Sequence, residues 1–261
     1  MALAAIPFGL AIGLAVGMLG GGGSILAVPV LAYVLGESVA EATTASLVVV
    51  AAGALVGSLT HAREQRVCWR HAAVLTAAAL PGLVGGTALA DVVEADALIA
   101  AFALVMLAAA VVTWRKAALE NGSSGAGEAA CPPLRPAGEL PAGVLIGFLT
   151  GFFGVGGGFL VVPALAIALS FSMRLAVGTS LAIITATSAI GLVVHLAAGR
   201  GLDPAVTAAM TLACMAGAAG GAALGGRIPT ASLGRGFAVL LTAVACYLLV
   251  SVALLGGPPA S

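Results

Sequence analysis

Apolar residues run along this chain in eight long blocks, near 3–36, 38–60, 70–90, 96–114, 140–170, 174–197, 204–226 and 232–255, with polar residues gathered in the gaps. Each block is long enough to cross the hydrocarbon of a bilayer, which takes about 20 residues of helix. The pattern predicts an all-α polytopic integral membrane protein. One stretch breaks it. From Trp114-Arg115-Lys116 through Arg135, residues 115–140 are rich in Gly, Ser, Pro and charge, which predicts a flexible linker. The expected organisation is a first transmembrane unit at 1–116, a polar linker at 117–139 and a second transmembrane unit at 140–261.

The two units are copies. Shifting the sequence by 134 positions lays Gly9 on Gly143, Gly13 on Gly147, Gly17 on Gly151, Pro29 on Pro163, Ser46 on Ser180, His61 on His195 and Arg66 on Arg200. Over residues 9–66 there are 21 identities in 58 positions without a gap. An Ala- and Gly-rich alphabet supplies some of these, but matched Pro, His and Arg are rare residues here. Internal duplication is a frequent construction in secondary transporters.

The first block of each copy is broken by glycine, at Gly20-Gly21-Gly22-Gly23-Ser24 and at Gly154-Val155-Gly156-Gly157-Gly158. Each glycine costs a helix about 1 kcal/mol relative to alanine. Two half-helices meeting at an unwound turn are therefore expected, with Pro29 and Pro163 kinking the second half. Charge placement then orients the copies. If each broken block crosses once, the copies are parallel and the ten basic residues split seven against three. If each is a hairpin, the copies are inverted and only Arg200 lies apart from the other nine. The positive-inside rule favours the second arrangement: two inverted repeats, each a glycine-broken helical hairpin followed by three transmembrane helices.

Composition sharpens the class. Sixty-one per cent of the chain is hydrophobic and 8% charged, against about 25% charged in typical soluble domains. Lys+Arg and Asp+Glu balance at ten each, so no basic surface exists for nucleic acid. No phosphate-cradling GxxxxGK[ST] motif is present. Cys68, Cys131, Cys214 and Cys246 lack metal-ligand spacing, and the last two lie in apolar runs and read as small core residues. The first basic residue is Arg63, which argues against a cleavable secretory signal. No metal site or cofactor is expected.

The paired runs Gly17-Met18-Leu19-Gly20-Gly21-Gly22-Gly23 with Pro29, and Gly151-Phe152-Phe153-Gly154-Val155-Gly156-Gly157-Gly158 with Pro163, resemble the signatures of the TauE/SafE sulfite-exporter family. The segments Thr44-Ala45-Ser46-Leu47 and Gly178-Thr179-Ser180-Leu181 are similar to that family's small-residue stretch. The resemblance spans almost the whole chain and implies a multi-pass inner-membrane permease for small sulfur-containing or organic anions. Ser24 stands where the second copy has Gly158, so the two sites are not strictly alike.

The residues themselves suit that chemistry. A half-helix opening at a glycine turn presents unpaired N–H groups and a positive dipole end, and the missing Cβ lets an oxyanion approach. The candidate substrate-binding residues are Gly21, Gly22, Gly23, Ser24 and Ser46 from the first copy and Gly156, Gly157, Gly158, Thr179 and Ser180 from the second. Gly9, Gly13, Gly17 and their counterparts read as helix-packing glycines. The duplicated His61 and His195 are candidates for carrying a coupled proton, or else interfacial anchors beside Arg63, Arg66 and Arg200. The partners expected are a small anion, a possible proton and the lipid bilayer, without nucleic acid. A metal-cation carrier using the two histidines is the alternative, and the absence of Asp and Glu within the blocks weighs against it. A serine–histidine enzyme is excluded within one helix, since Ser46 and His61 lie fifteen residues, about 22 Å, apart.

Overall fold

A computed structural model describes residues 2–90, 93, 95–120, 131–134, 136–153, 158–169, 171–197, 199 and 201–255. The regular structure among them is all helical, with no strand. The helices are α1 (Ala2–Leu19), α2 (Ala27–Pro29), α3 (Val39–Arg63), α4 (Trp69–Ala90), α5 (Ala95–Glu120), α6 (Pro136–Phe153), α7 (Gly158–Ala168), α8 (Met173–Ala197), α9 (Pro204–Gly225) and α10 (Thr230–Leu255). Six helical stretches among the described residues are long and apolar enough to cross a membrane: Ala4–Ala32, Glu41–Arg63, Trp69–Leu89, Met173–Ala197, Pro204–Gly225 and Ala231–Val250. Their outward side chains are largely apolar, as lipid requires; Val84, Val193, Leu212 and Tyr247 are each more than 60% exposed. Trp69 and Trp114 are exposed at helix ends, where an aromatic belt belongs.

Local sequence explains the helix starts. Ser38 accepts from the Glu41 amide while the Glu41 carboxylate accepts from the Ser38 amide, a reciprocal cap opening α3. Asp203 caps α9 through the amides of Ala205 and Val206, with Pro204 at the first helical position.

The glycine segment of the first copy is not the unwound turn that the sequence suggests. Gly20 alone takes a left-handed φ of +71°, which closes α1, and Gly20–Leu26 then winds as a 3₁₀ helix. The chain has reversed by this point. A Cβ on Gly23 would lie 2.7 Å from both the Ile12 carbonyl oxygen and the Val16 amide nitrogen. In a straight helix Gly23 and Ile12 would be about 16 Å apart. After Pro29, which has no N–H to give, the backbone widens into a π-helical turn, Val30–Val34. The Glu37 amide then donates to the Leu31 carbonyl at 3.1 Å, and the Phe171 amide to the Leu165 carbonyl at 3.1 Å, the same closure 134 residues on.

Two kinds of helix pair make the core. In the first, α1 lies parallel to α9 and α6 parallel to α4. Glycine allows both to approach backbone to backbone: a Cβ on Gly13 or Gly17 would strike the carbonyl of Cys214 or Ala218, and one on Gly147 or Gly151 that of Ala79 or Leu83. In return, Gly217 and Gly221 abut the carbonyls of Leu10 and Leu14, and Gly82 and Gly86 those of Val144 and Phe148. These contacts repeat with constant offsets, 134 from α1 to α6 and 135 from α4 to α9. In the second kind, helices cross antiparallel. Thr44 near the start of α3 meets His195 near the end of α8, while His61 near the end of α3 meets Gly178 near the start of α8. Gly57 packs on Leu181 and Gly191 on Leu47, positions again related by 134. α5 and α10 are likewise antiparallel, with Gly234 against Ala117 and a groove between them lined by Ala110, Trp114, Ala238 and Thr242.

The two ends of the bundle differ in charge. At one end, Arg66 lies beside Glu64 and Gly226, Arg174 donates to the Ile228 carbonyl at 3.4 Å, and Cys68 is joined to Cys131 by a disulfide. At the other, Glu37, Glu41 and Asp203 come together; burial first, then Asp203 and Glu41, push the Glu37 carboxyl pKa up. Helix reaches into both ends of the expected linker 117–139, since α5 continues to Glu120 and α6 begins at Pro136. Cys214 is buried as expected, whereas Cys246 is exposed and is not a core residue.

Candidate functional site

The strongest convergence of candidate residues lies where the 3₁₀ segment meets α7 and α8. Ser24 and Gly158 face each other: a Cβ on Gly158 would sit 2.9 Å from Ser24 Oγ and as close to Ile184. These two residues are 134 apart, so each occupies in its own copy the place the other holds. Beside them, a Cβ on Gly20 would sit 2.7 Å from Ser180 Oγ and 2.9 Å from Val162. Segments from both copies therefore interlock through glycine against serine, with no room for a single added carbon.

All the described members are buried. Gly21, Gly22 and Gly23 lie within the 3₁₀ segment, and Ser24, Ser46, Gly158, Thr179 and Ser180 are buried with them. Their functions within the packing differ. Gly23 presses on α1, while a Cβ on Gly22 would meet the ring of Phe237 on α10 at 3.0 Å. Ser24 Oγ–H donates to the Gly21 carbonyl at 2.6 Å, Ser46 to Thr43 at 2.8 Å and Ser180 to Val177 at 2.8 Å. In this conformation each hydroxyl proton is spent on its own helix, leaving the oxygen lone pairs facing outward. Thr179 Oγ1 accepts from the Cys68 amide at 3.1 Å, which ties α8 to the α3–α4 connection. Gly156 and Gly157 lie outside the described residues.

The histidines do not come together. His61 Nε2–H donates to the Gly17 carbonyl at 3.1 Å, where α1 nears its end, and the side chain is only 3% exposed. It is therefore a core residue and not an interfacial anchor. His195 is half-buried and shares a 3.2 Å hydrogen bond between Nδ1 and Thr44 Oγ1. Since His61 packs by Gly178, the two histidines are separated by seventeen residues of α8, about 25 Å. Among the described residues no three His, Cys, Asp or Glu side chains cluster as metal ligands.

Sequence reasoning missed one pair of titratable groups. His71 Nε2 lies 3.4 Å from Glu139 Oε1, with the two side chains 5% and 1% exposed, and the Phe171 ring stands edge-on to the imidazole at 5.1 Å. Glu139 sits in the first turn of α6, just before the apolar block, so a search within the blocks passes over it.

A family model for the sulfite exporter TauE/SafE matches residues 5–248. A probable membrane transporter protein of Xylella fastidiosa strain 9a5c is 32% identical over 244 residues, covering 91% of each chain. One from Methanocaldococcus jannaschii is 27% identical over 203 residues, covering 74% of this chain and 73% of that protein. No solved structure matches the chain.

Proposed function

The chain belongs to the TauE/SafE sulfite exporter family, a family of multi-pass membrane transporters and not of enzymes, and we propose that it is a secondary transporter moving a small anion across the plasma membrane. Sulfite, a sulfonate or a related organic anion is the substrate class. The observation that carries this reading is the meeting of Ser24 with Gly158 and of Gly20 with Ser180, at the crossing of segments from both copies. Irregular backbone at membrane depth survives where protein or a watery path satisfies it, and in transporters such places bind substrate. When the copies part, glycine backbone and the oxygens of Ser24 and Ser180 are the polar groups that become available. Turning a serine hydroxyl from its own helix toward an oxyanion exchanges one hydrogen bond for a stronger, charge-assisted one. Gly21, Gly22, Gly23, Gly156, Gly157, Ser46 and Thr179 complete the proposed site.

The units 1–116 and 140–261 are read as inverted repeats joined by the linker. The antiparallel crossings of α3 with α8 and of α5 with α10 support this, because parallel copies would place those counterparts parallel. The reversal after Gly20 supports the odd crossing that this reading needs in the first copy. The arginine-bearing end then faces the cytoplasm. An inside-negative potential drives an anion outward by about 2.3 kcal/mol per charge per 100 mV, so export is the downhill direction and uptake needs a compensating cation.

The test is a flux screen in proteoliposomes with sulfite, sulfoacetate, thiosulfate and small carboxylates, with and without a proton gradient. Saturable flux of at least one sulfur oxyanion or sulfonate is expected. Divalent-cation flux without anion flux would overturn the reading.

A further inference from the structure

We propose that the buried His71–Glu139 pair is a proton-binding site that couples proton movement to transport, carried by the α4–α6 helix pair and absent from the matching α9–α1 pair. This rests on the transport reading above and assigns to it a coupling group distinct from the duplicated His61 and His195.

The argument starts from the offsets in the packing. Contacts of α1 with α9 recur between α6 and α4, displaced by 134 and 135 residues. By those offsets Glu139 corresponds to Ala5 and His71 to Val206. Ala5 and Val206 are both buried, 0% and 4% exposed. The same helix pairing is therefore built twice in this molecule, once with alanine and valine and once with a carboxylate and an imidazole. Packing does not require the charged pair. Buried ion pairs are in general no better for stability than apolar residues of similar volume, since desolvation offsets their attraction. A titratable pair kept at such a site points to a function, and within a membrane bundle proton transfer is the usual one.

The chemistry fits. Neutral imidazole with ionised carboxylate carries one negative charge; adding a proton makes the pair neutral overall, whichever atom holds it. Nε2 and Oε1 at 3.4 Å are close enough for the proton to be shared after a small movement. Binding one proton as an anion crosses cancels one of its charges, which lowers the electrical cost of uptake against an inside-negative potential. The charged groups that the packed elements carry at this end are Arg70 on α4, Arg115, Lys116 and Glu120 on α5 and Arg174 on α8, while α7 contributes none. The Phe171 ring connects the imidazole to the α7–α8 junction. A change of charge there is felt by the leg that carries Gly158.

The experiment uses the full chain in proteoliposomes with thiosulfate and sulfoacetate, which do not take up protons near neutral pH, at zero membrane potential. Wild type is compared with the double variant His71→Val/Glu139→Ala, which copies the residues of the other helix pair, and with Glu139→Gln. The expected result is that wild-type net flux accelerates with a pH gradient and carries protons into the lumen. Both variants are expected to lose that acceleration and the proton movement, to stay monodisperse with a melting temperature at or above wild type, and to retain anion-for-anion exchange. Unfolding of the double variant would assign the pair to structure and overturn the proposal. So would unchanged pH-driven flux in the variants, or loss of exchange in a folded variant. Wild-type anion flux indifferent to the pH gradient would overturn the coupling while leaving anion transport standing. No flux of any anion would instead defeat the transport reading.

Discussion

The interlock at Gly20 can be measured by asking what one methyl group costs there. Gly20→Ala places an L residue at φ +71°, which costs about 1–2 kcal/mol. Its Cβ would also sit 2.7 Å from Ser180 Oγ and 2.9 Å from Val162 Cγ2, an overpacking of about 1–3 kcal/mol. Gly36 supplies the control, because its φ is +74° yet nothing lies within 4 Å of its Cβ position. Gly36→Ala therefore carries the strain without the collision. The expected difference between the two variants is the collision alone, about 1–3 kcal/mol. Ser180→Gly removes the nearer obstacle, at about 1 kcal/mol for glycine inside α8, so the double variant Gly20→Ala/Ser180→Gly should be more stable than the two single losses summed. Thermal stability in detergent, read as the monodisperse fraction surviving a heating series, measures the cycle. Equal losses for Gly20→Ala and Gly36→Ala, or strict additivity with Ser180→Gly, would refute the contact between the first glycine segment and α8.

Three further outcomes are expected. Gly13→Val and Gly147→Val, whose Cβ atoms would strike the carbonyls of Cys214 and Ala79, should abolish folded material, whereas Gly85→Val and Gly220→Val, with nothing within 4 Å, should leave yield intact; chromatographic yield decides. Glu37 has a carboxyl pKa raised in the fold, so its charge opposes folding above that pKa and the opposition fades as pH falls through it; Glu37→Gln should raise the melting temperature at neutral pH and converge with wild type in acid. Cys68 and Cys131 lie at the arginine-bearing end assigned to the cytoplasm, where thiols are kept reduced. In intact cells Cys131 should thus react with permeant but not impermeant maleimide, and a disulfide persisting in cells would reverse the assigned orientation.

What the sequence made legible was whatever it states twice. The 134-residue offset visible in Gly9, Gly13 and Gly17 reappears as the glycines on which α1 and α6 are packed, because a close backbone approach leaves no choice of residue. Helix existence was equally plain, since lipid admits no other use of such apolar blocks. The glycine run was read correctly as a break but not as a 3₁₀ helix; four consecutive glycines permit many backbones, and the choice is made by Ile12, Val16 and Phe237 pressing from helices that sequence alone does not bring near. His61 looked interfacial from its arginine neighbours, yet it folds inward to the Gly17 carbonyl, a partner 44 residues away.

Features stated once were hidden for the same physical reason. His71 and Glu139 are 68 residues apart on different helices, so neither local periodicity nor self-comparison draws attention to them. They emerge only when the offset is laid over the packing and Val206 and Ala5 are found in the matching places. A duplicated fold advertises the residues that satisfy its shared geometry; those are mostly glycines serving close contact. Where the copies diverge at a buried position, the geometry has already shown that it accepts the simpler residue. Ser24 against Gly158 and His71–Glu139 against Val206–Ala5 are both of that kind. The first places a hydroxyl where the 3₁₀ segment meets α7, and the second places a carboxylate and an imidazole at the arginine-bearing end. Anion movement against an inside-negative potential needs one polar group that can turn toward cargo and one charge that can be cancelled, and in the reading proposed above these two departures from symmetry supply them.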